Sequence, residues 1–586
     1  MRAERVSQRT ALAVTAAAYL VLVVVYFLSF GSSAWHPTDY EQIMAWTWRL
    51  AHGEHPYRDF IYHKPPGTIL LHTVWLLFPD RWQVRASRLF FYMQVAFSGL
   101  LPILWALRRR RIAFGWRLPL LGVTFVLFAL HNFPAMPWQT TDGVMFATIG
   151  LVALLESVTT DEPRRAVVTR AIASAAFTAA LLCKQSFFSP CLLLAALASY
   201  EGLATIRGRG KQMDGWQAIK LFAASALPAL VLLGTCYAYL RAAGALEQFV
   251  LQFRSQSTGP ALELYGMRGS EYQWTTAVWA AFPVVPLLDG AGRKIGQYGA
   301  RIVALAALFY VAQLAYDRSL EGLGEMGFIL FFILVGTFLG RLLFAALEPD
   351  LKKKFPKLPC ADRPMLLMHF GFVLIAWSSQ LSLGYTTPIL GVAGLGLVFH
   401  ELLPRERFAI VDVAPVLVAA SVVAVCLWKA NDEQPYRDLR RPYLTKDLGE
   451  VFPKLSGIRT NPVTFARYVE LKNLAVTYAI EKHRSFAVLQ DYPGANWLMD
   501  QRNPISLDWC WPPDLASFEL QVWDEIQKTN PVVIIPKDAD TPWLHNDPEP
   551  ACDAVNYAMH NALSRGVVNS HWHLLGGGTY FCVFSR

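Results

Sequence analysis

Apolar stretches long enough to cross a membrane recur along most of this chain, and they constrain its fold more than any other feature. A membrane-crossing helix needs about 20 mostly apolar residues, because inside a bilayer the backbone must satisfy its own hydrogen bonds. Thirteen stretches approach this length, at 10–30, 86–107, 118–132, 143–157, 168–184, 186–202, 218–242, 274–290, 301–317, 325–347, 364–383, 387–402 and 408–428. We therefore predict a polytopic α-helical membrane protein with about thirteen transmembrane helices.

The composition excludes the common soluble classes. Only 17% of the 586 residues are charged, whereas a soluble domain usually carries about 25%. The mean hydropathy of +0.30 argues against a disordered chain and against an ordinary cytosolic enzyme. The eight Cys include no C-x-x-C pair, so we expect neither a structural zinc site nor a dense disulfide framework.

Basic residues concentrate in alternate connections between the predicted spans, for example at 108–111 and 352–354. By the positive-inside rule, this places the N-terminus in the cytoplasm and residues 429–586 outside it. The net charge of +9 is then a topology signal, and we predict no nucleic-acid partner. Compact loops favour a bacterial origin, so we expect a multi-pass protein of the bacterial inner membrane with a periplasmic C-terminal domain.

Two predicted outer segments are large. Residues 31–85 form a first periplasmic loop, in which 40–50 has the pattern of an amphipathic helix lying on the membrane surface. Residues 429–586 are predicted to form a soluble α/β domain, so that residues 1–428 form the transmembrane domain. In the α/β domain, Asn461 and Pro462 are typical of a helix start, and strands are expected at 486–490, 532–536 and 579–584.

Three cysteines fall in the predicted outer domain, which is an oxidising setting in a bacterium. They are Cys510, Cys552 and Cys582, so at most one bridge can form among them. We predict the pair Cys552–Cys582.

Four short motifs place ionisable residues at the predicted outer membrane face. They are Trp35-His-Pro-Thr-Asp39-Tyr-Glu41, Tyr62-His-Lys64-Pro-Pro-Gly67, Trp138-Gln-Thr-Thr-Asp142-Gly and Cys183-Lys184-Gln-Ser. Charge near hydrocarbon is costly and is usually retained for a function. The distribution of basic residues predicts the topology independently of these motifs, so their location on one side of the membrane indicates a single site.

These motifs resemble those of the C-type (GT-C) glycosyltransferases, in particular the protein O-mannosyltransferases and lipid A aminoarabinose transferases. Members carry an acidic residue after the first span, a Lys-Pro-Pro element, a Thr-Asp step at a later span and a following Lys. The resemblance runs to about residue 200 and resumes at Gly384-Tyr385-Thr-Thr-Pro388. This chain differs in having Asp39-Tyr40-Glu41 where many relatives have adjacent Asp-Glu, and Gly67 where many have Leu.

The resemblance implies the GT-C fold and transfer of a sugar from a polyprenyl (undecaprenyl) phosphate donor to an acceptor hydroxyl. The acceptor would be a lipid, a glycan or a protein. The departing phosphate needs fixed cations, and the expected phosphate-binding residues are Lys64, Lys184, Arg254, Arg268 and Tyr385. The acceptor oxygen needs a general base, for which Asp39 is the first candidate, with Asp142 or Glu41 assisting. Direct displacement predicts inversion, no cofactor is indicated, and a divalent cation is left open.

Each residue also has a purely structural interpretation. Asp39 and Asp142 could stabilise helix starts, and Lys64 and Lys184 could anchor span ends at the interface. Tyr385 could be an interface aromatic residue, and Arg254 and Arg268 could be solvated loop charges. Two other functions stay open: a transporter or flippase for lipid-linked sugars, and an oligosaccharide ligase or polymerase that uses a diphosphate-linked donor.

Overall fold

A computed structural model describes most of the chain. The described residues are 7–112, 114–131, 135–206, 215–255, 306, 331, 333–343, 345–346, 362–380, 394–402, 409–433, 438–509, 517–537, 551–553, 555, 560–570 and 572–586.

The first part of the chain is helical. The helices are α1 (Gln8–Phe30), α2 (Asp39–Ala51), α3 (Gly67–His72), α4 (Asp80–Arg108), α5 (Arg117–His131), α6 (Gln139–Thr159), α7 (Pro163–Cys183), α8 (Phe188–Ile206), α9 (Gly215–Ala242), α10 (Leu246–Ser255), α11 (Arg363–Gln380), α12 (Leu395–Leu402) and α13 (Ala409–Glu433). In the bundle, α6 packs against α4, α7 and α11, and α5 packs against α12 and α13.

Six described helices are long and apolar enough to cross a membrane, which makes the chain a multi-pass membrane protein. They match the predicted spans at 10–30, 86–107, 143–157, 168–184, 186–202 and 218–242. The stretch at 274–290 lies outside the described residues, as does 301–317 apart from residue 306. The total of thirteen spans therefore stays a prediction.

Predicted cytoplasmic residues meet at one end of the bundle. Glu156, near the end of α6, accepts hydrogen bonds from Arg109 Nε at 2.8 Å and from Trp105 Nε1 at 3.2 Å, and it also pairs with Arg165. These arginines belong to two separate basic connections in the sequence. Because Arg109 and Arg165 both contact the Glu156 carboxylate, the two connections lie at the same end of the bundle.

The helix expected at 40–50 is present as α2, but its setting differs from a membrane surface. Its polar residues Glu41, Gln42 and Arg49 are 0%, 5% and 3% exposed. The polar face is buried because the chain after residue 437 packs over it, and α2 therefore lies between the bundle and this later part.

The C-terminal segment, defined here as the described part of residues 438–586, contains α14 (Pro462–Tyr478), α15 (Ala495–Leu498), α16 (Glu519–Thr529) and α17 (Ala562–Asn569). Its strands are β1 (Lys446–Asp447), β2 (Arg459–Thr460), β3 (Phe486–Val488), β4 (Val532–Pro536), β5 (His573–Gly577) and β6 (Phe581–Ser585). The larger sheet has the order β3-β4-β6-β5, with β3 and β4 parallel and the other pairs antiparallel. At the start of α14, the Asn461 side chain accepts a hydrogen bond from Thr464 N at 2.9 Å, as a helix cap does.

The predicted disulfide between Cys552 and Cys582 is confirmed. It joins the chain before α17 to strand β6, across a sequence separation of 30 residues.

Removing this bridge should destabilise the C-terminal segment. A loop of this length predicts a loss of about 3–4 kcal/mol in the free energy of unfolding for Cys582→Ser, because the unfolded chain gains freedom. Thermal unfolding under non-reducing conditions measures the loss. Cys236→Ser, at a free cysteine in α9, is the matched control. Equal stability of the two variants would contradict the prediction.

Candidate functional site

The Lys64-Pro-Pro-Gly67 turn lies directly against the end of α7. A Cβ atom added at Gly67 would lie 2.6 Å from the Leu182 carbonyl oxygen and 2.9 Å from Cys183 N. Only glycine allows this close approach of the two backbones. The turn therefore brings Lys64 next to the segment that carries Lys184.

Lys184 sits where the chain breaks between α7 and a 3₁₀ turn at Gln185–Phe187. It is 2% exposed. Its Nζ donates to Thr140 Oγ1 at 3.0 Å and to the Ser379 carbonyl at 2.9 Å, which links α6 and α11. A side chain that extends to the interface would be solvated, so these contacts favour a fixed interior amine.

Lys64 is equally buried, at 2% exposed. Its carbonyl accepts the Tyr57 hydroxyl at 2.5 Å, which fixes the turn. The Lys64 and Lys184 amines are close enough to repel each other. Burial, together with the charge of Lys64, lowers the pKa of His63 well below its usual range. Two buried amines near one another form a region of concentrated positive charge, which favours an anion.

Asp142 lies in the first turn of α6 and is fully buried. Gln94 Nε2 donates to its Oδ1 at 2.7 Å, and His72 Nε2 lies 3.1 Å from its Oδ2. The carboxylate is thus held by α3 and α4. Asp142 also follows Thr140, the Lys184 partner, by two positions on the same helix.

The His72 ring is oriented from its other nitrogen. Trp75 Nε1 donates to His72 Nδ1 at 2.5 Å. Since Nδ1 accepts this hydrogen bond, the proton of the neutral ring is on Nε2, which donates to Asp142. The series of hydrogen bonds from Trp75 through His72 to Asp142, together with the one from Gln94, therefore holds the Asp142 carboxylate in one orientation.

Tyr62 completes this group of buried polar residues. Burial raises the pKa of its phenol well above the usual range, and Cys183 and Asp142 add to the shift because they lie nearby. Among the described residues, its hydroxyl has no hydrogen-bond partner, although the side chain is 0% exposed. A buried hydroxyl without a partner costs free energy unless a ligand or water satisfies it. We define Tyr62, Lys64, Asp142 and Lys184 as the polar cluster.

The other predicted residues are placed as follows. Asp39 is the first residue of α2, and its side chain lies outside the described residues, as do Arg268 and Tyr385. Arg254 lies exposed on the last turn of α10. That helix is attached to the first loop, because Gln252 accepts a hydrogen bond from Tyr62 N at 2.9 Å and donates to Tyr57 O at 2.9 Å.

Glu41 faces the C-terminal segment. Its carboxylate is fully buried and accepts hydrogen bonds from Gly494 N at 2.8 Å, from Trp35 Nε1 at 3.2 Å and from the Tyr468 hydroxyl. Burial raises the pKa of Glu41 to about 8, and these three donors only partly oppose the shift. The described contacts thus place Glu41 at a junction between α2 and the C-terminal segment.

The raised pKa of Glu41 predicts that the stability of the folded protein depends on pH. The folded-state pKa of about 8 exceeds the ordinary value of 4.5, so the folded protein binds this proton more tightly than the unfolded chain. The stabilisation is complete below about pH 4.5 and is lost as the pH rises through 8. We expect the free energy of unfolding to fall by up to about 4 kcal/mol more in the wild type than in Glu41→Gln between pH 5 and 9. Thermal unfolding across this range measures the difference, with the exposed-site variant Glu481→Gln as control. Parallel curves for wild type and Glu41→Gln would contradict the prediction.

A separate cavity of about 690 Å³ opens beside the other end of α2. Its lining combines the end of α2, the chain from α3 to the start of α4, and the C-terminal residues Lys454 and Asp500. None of the predicted site residues is among the residues that line it. It is therefore distinct from the polar cluster.

Within the described ranges, no three His, Cys, Asp or Glu side chains come together as metal ligands would. His36, His55 and His63 of the first loop thus do not form a metal site with other described residues.

Three contributors to the site were not assigned a role from sequence. His72 and Gln94 hold Asp142, and Tyr62 adds a buried hydroxyl. Tyr62 lies two residues before Lys64 in the Tyr62-His-Lys64-Pro-Pro-Gly67 motif, and this position in the sequence could have indicated its role. His72 and Gln94 lie 70 and 48 residues from Asp142 in the sequence, and only the tertiary fold brings them together.

Two crystal structures of ArnT from Cupriavidus metallidurans are similar to this chain over nearly its whole length. ArnT is a lipid A aminoarabinose transferase of the GT-C fold. The apo structure aligns with a TM-score of 0.43 and 15% identity, over 98% of this chain and 97% of ArnT. The structure bound to undecaprenyl phosphate aligns with a TM-score of 0.42 and 14% identity, over the same shares. No protein-family profile matches the sequence, and no curated protein matches it.

Proposed function

We propose that this protein is an integral membrane glycosyltransferase of the C type, which transfers a sugar from a polyprenyl phosphate to an acceptor hydroxyl. The observation that carries the proposal is the convergence of Lys64, Lys184 and Asp142 at one end of a helix bundle. Two buried amines in one place concentrate positive charge, which favours the binding of a negatively charged ligand. A lipid-linked phosphate meets this need, because its polyprenyl chain remains in the bilayer.

The reaction is a single displacement. The acceptor oxygen attacks the anomeric carbon, and the bond from that carbon to the phosphate oxygen breaks with its electron pair moving to the phosphate. The acceptor proton passes to a base, for which we propose Asp39. The sugar is transferred with inversion, and the polyprenyl phosphate leaves as an anion. Lys64 and Lys184 would stabilise the charge that develops on it.

The remaining residues receive supporting roles. Asp142, held by His72 and Gln94, would orient the acceptor or a cation near Lys184. Glu41 is proposed to act through its junction with the C-terminal segment. Arg254, Arg268 and Tyr385 stay proposed phosphate ligands. The acceptor is a lipid, a glycan or a protein, and a bound divalent cation is compatible with the acidic residues.

The proposed orientation places the polar cluster at the outer leaflet of a bacterial inner membrane. The N-terminus is then cytoplasmic, and the C-terminal domain is periplasmic. The disulfide between Cys552 and Cys582 supports this side, because such bonds persist in oxidising compartments.

The test is a transfer assay with purified protein in lipid nanodiscs. The donor is a radiolabelled sugar on undecaprenyl phosphate, and the acceptor is a membrane lipid extract. Transfer of the label to an acceptor supports the proposal. Movement of intact donor across a liposome bilayer without bond cleavage would instead indicate a flippase. Competition by a diphosphate-linked donor but not by the monophosphate would indicate a ligase or polymerase.

A further inference from the structure

The N-terminal turn of α2 is held by the C-terminal segment through a buried hydrogen-bond group. Glu41 accepts from Gly494 N and from the Tyr468 hydroxyl, and both donors belong to the C-terminal segment. Trp35 Nε1 donates to Tyr468 Oη at 2.8 Å and to Glu41 Oε1 at 3.2 Å. We call Trp35, Glu41, Tyr468 and Gly494 the Glu41 clamp.

The clamp is tightly packed. A Cβ atom added at Gly494 would lie 2.7 Å from the Glu41 carboxylate. Trp35 N also donates to Asp438 Oδ2 at 3.1 Å, and the Trp35 ring stacks on Tyr40 with centroids 5.2 Å apart. Arg88 extends from α4, and its guanidinium carbon lies 4.7 Å from the centroid of the Tyr40 ring. The first turn of α2 therefore has little freedom to shift.

The far end of α2 is held by the same segment. Arg49 donates to Asp508 Oδ1 at 3.1 Å and to Glu54 Oε2 at 2.6 Å, and Arg502 Nε reaches Glu54 Oε1 at 2.9 Å. Arg49 and Asp508 are both buried. Breaking a buried ion pair is costly, because the remaining charge is left without its partner. Both ends of α2 are thus fixed to the C-terminal segment.

We infer that the C-terminal segment positions the general base, with Tyr468 and Gly494 acting on Asp39 through Glu41. This inference rests on the proposed function, in which Asp39 takes the acceptor proton. Asp39 lies two residues before Glu41 in the same helical turn, so a displacement of Glu41 displaces Asp39 with it. A base must come within about 2.6–3.2 Å of the oxygen it deprotonates. Misplacement by about 1 Å can cost about a hundredfold in rate. Tyr468 and Gly494 are therefore positioning residues.

Two substitutions disturb the Glu41 clamp by different means. Tyr468→Phe removes one donor without changing the size of the ring, and Gly494→Ala pushes a methyl group against the Glu41 carboxylate. For each variant we expect kcat to fall about tenfold or more, while the KM for the donor and the affinity for undecaprenyl phosphate stay within about twofold. The matched control is Tyr478→Phe on the same helix α14, where the lost hydroxyl is not part of the clamp. Thermal unfolding of each variant is recorded in parallel.

The outcomes separate the inference from the proposed function. A fall in kcat at unchanged donor affinity, absent in Tyr478→Phe, supports positioning of the base, because a merely structural role would lower binding and stability as well. Wild-type kcat in both Tyr468→Phe and Gly494→Ala would overturn the inference while leaving the transferase intact. If Tyr468→Phe does not fold, the kcat and donor affinity of Gly494→Ala test the inference instead. If the wild type transfers no sugar, the proposed function itself fails, and the clamp variants are not needed to show it.

Discussion

Replacement of Asp39 by asparagine is expected to lower the rate of sugar transfer by a factor of about 10²–10⁴, the usual contribution of a general base. Asparagine keeps the size and most of the polarity of the side chain but cannot accept the acceptor proton at neutral pH. Asp39 begins α2, so the substitution should also cost a few tenths of a kcal/mol through the helix dipole. The affinity for undecaprenyl phosphate should stay within about twofold, because the base does not contact the phosphate.

Single-turnover transfer and a separate binding titration with undecaprenyl phosphate measure these two quantities for Asp39→Asn. Asp524→Asn, at an exposed position on α16, makes the same chemical change away from α2 and serves as control. Near-normal turnover in Asp39→Asn would remove the base assignment. A parallel loss of donor binding would assign Asp39 to the donor pocket instead.

Local sequence signals predicted the elements that depend on neighbouring residues. Apolar length predicted the helices that become α1, α4, α6, α7, α8 and α9. The Asn461-Pro462 pair predicted the start of α14, because a cap and a proline act within one helical turn. Strands β3, β4 and β6 follow the apolar runs expected at 486–490, 532–536 and 579–584.

Partners distant in the sequence could not be predicted in the same way. The position of Glu41 depends on Tyr468 and Gly494, which lie more than 400 residues later. The amphipathic pattern of 40–50 therefore indicated a solvated polar face, whereas the fold buries that face under a second layer. In the same way, the sequence does not link His72 to Asp142, because the two residues lie 70 positions apart and meet only in the folded protein.

The sequence left the lysines with two interpretations, and the fold distinguishes them by burial. A lysine that extends to the interface keeps its ammonium in water. Lys64 and Lys184 are each 2% exposed, and the Lys184 ammonium is held by side-chain and backbone oxygens of two other helices. The positive charge that these two buried amines bring to one place is therefore an argument for a phosphate ligand.

Lys184→Met is expected to weaken the binding of undecaprenyl phosphate by about 10–100-fold and to lower transfer by about 10²–10³, since a fixed cation facing a leaving phosphate contributes on this scale. Methionine retains the length of the side chain while removing its charge and its donors to Thr140 and Ser379. Loss of the Lys184 hydrogen bonds to Thr140 and Ser379 should cost about 1–3 kcal/mol of stability, so thermal unfolding is measured on the same preparation. Lys220→Met, an exposed lysine on α9, is the matched control. An unchanged affinity for undecaprenyl phosphate and an unchanged transfer rate in a folded Lys184→Met protein would show that the buried amine serves only to join α6 and α11. The polar cluster would then have to bind its anion through Lys64 alone.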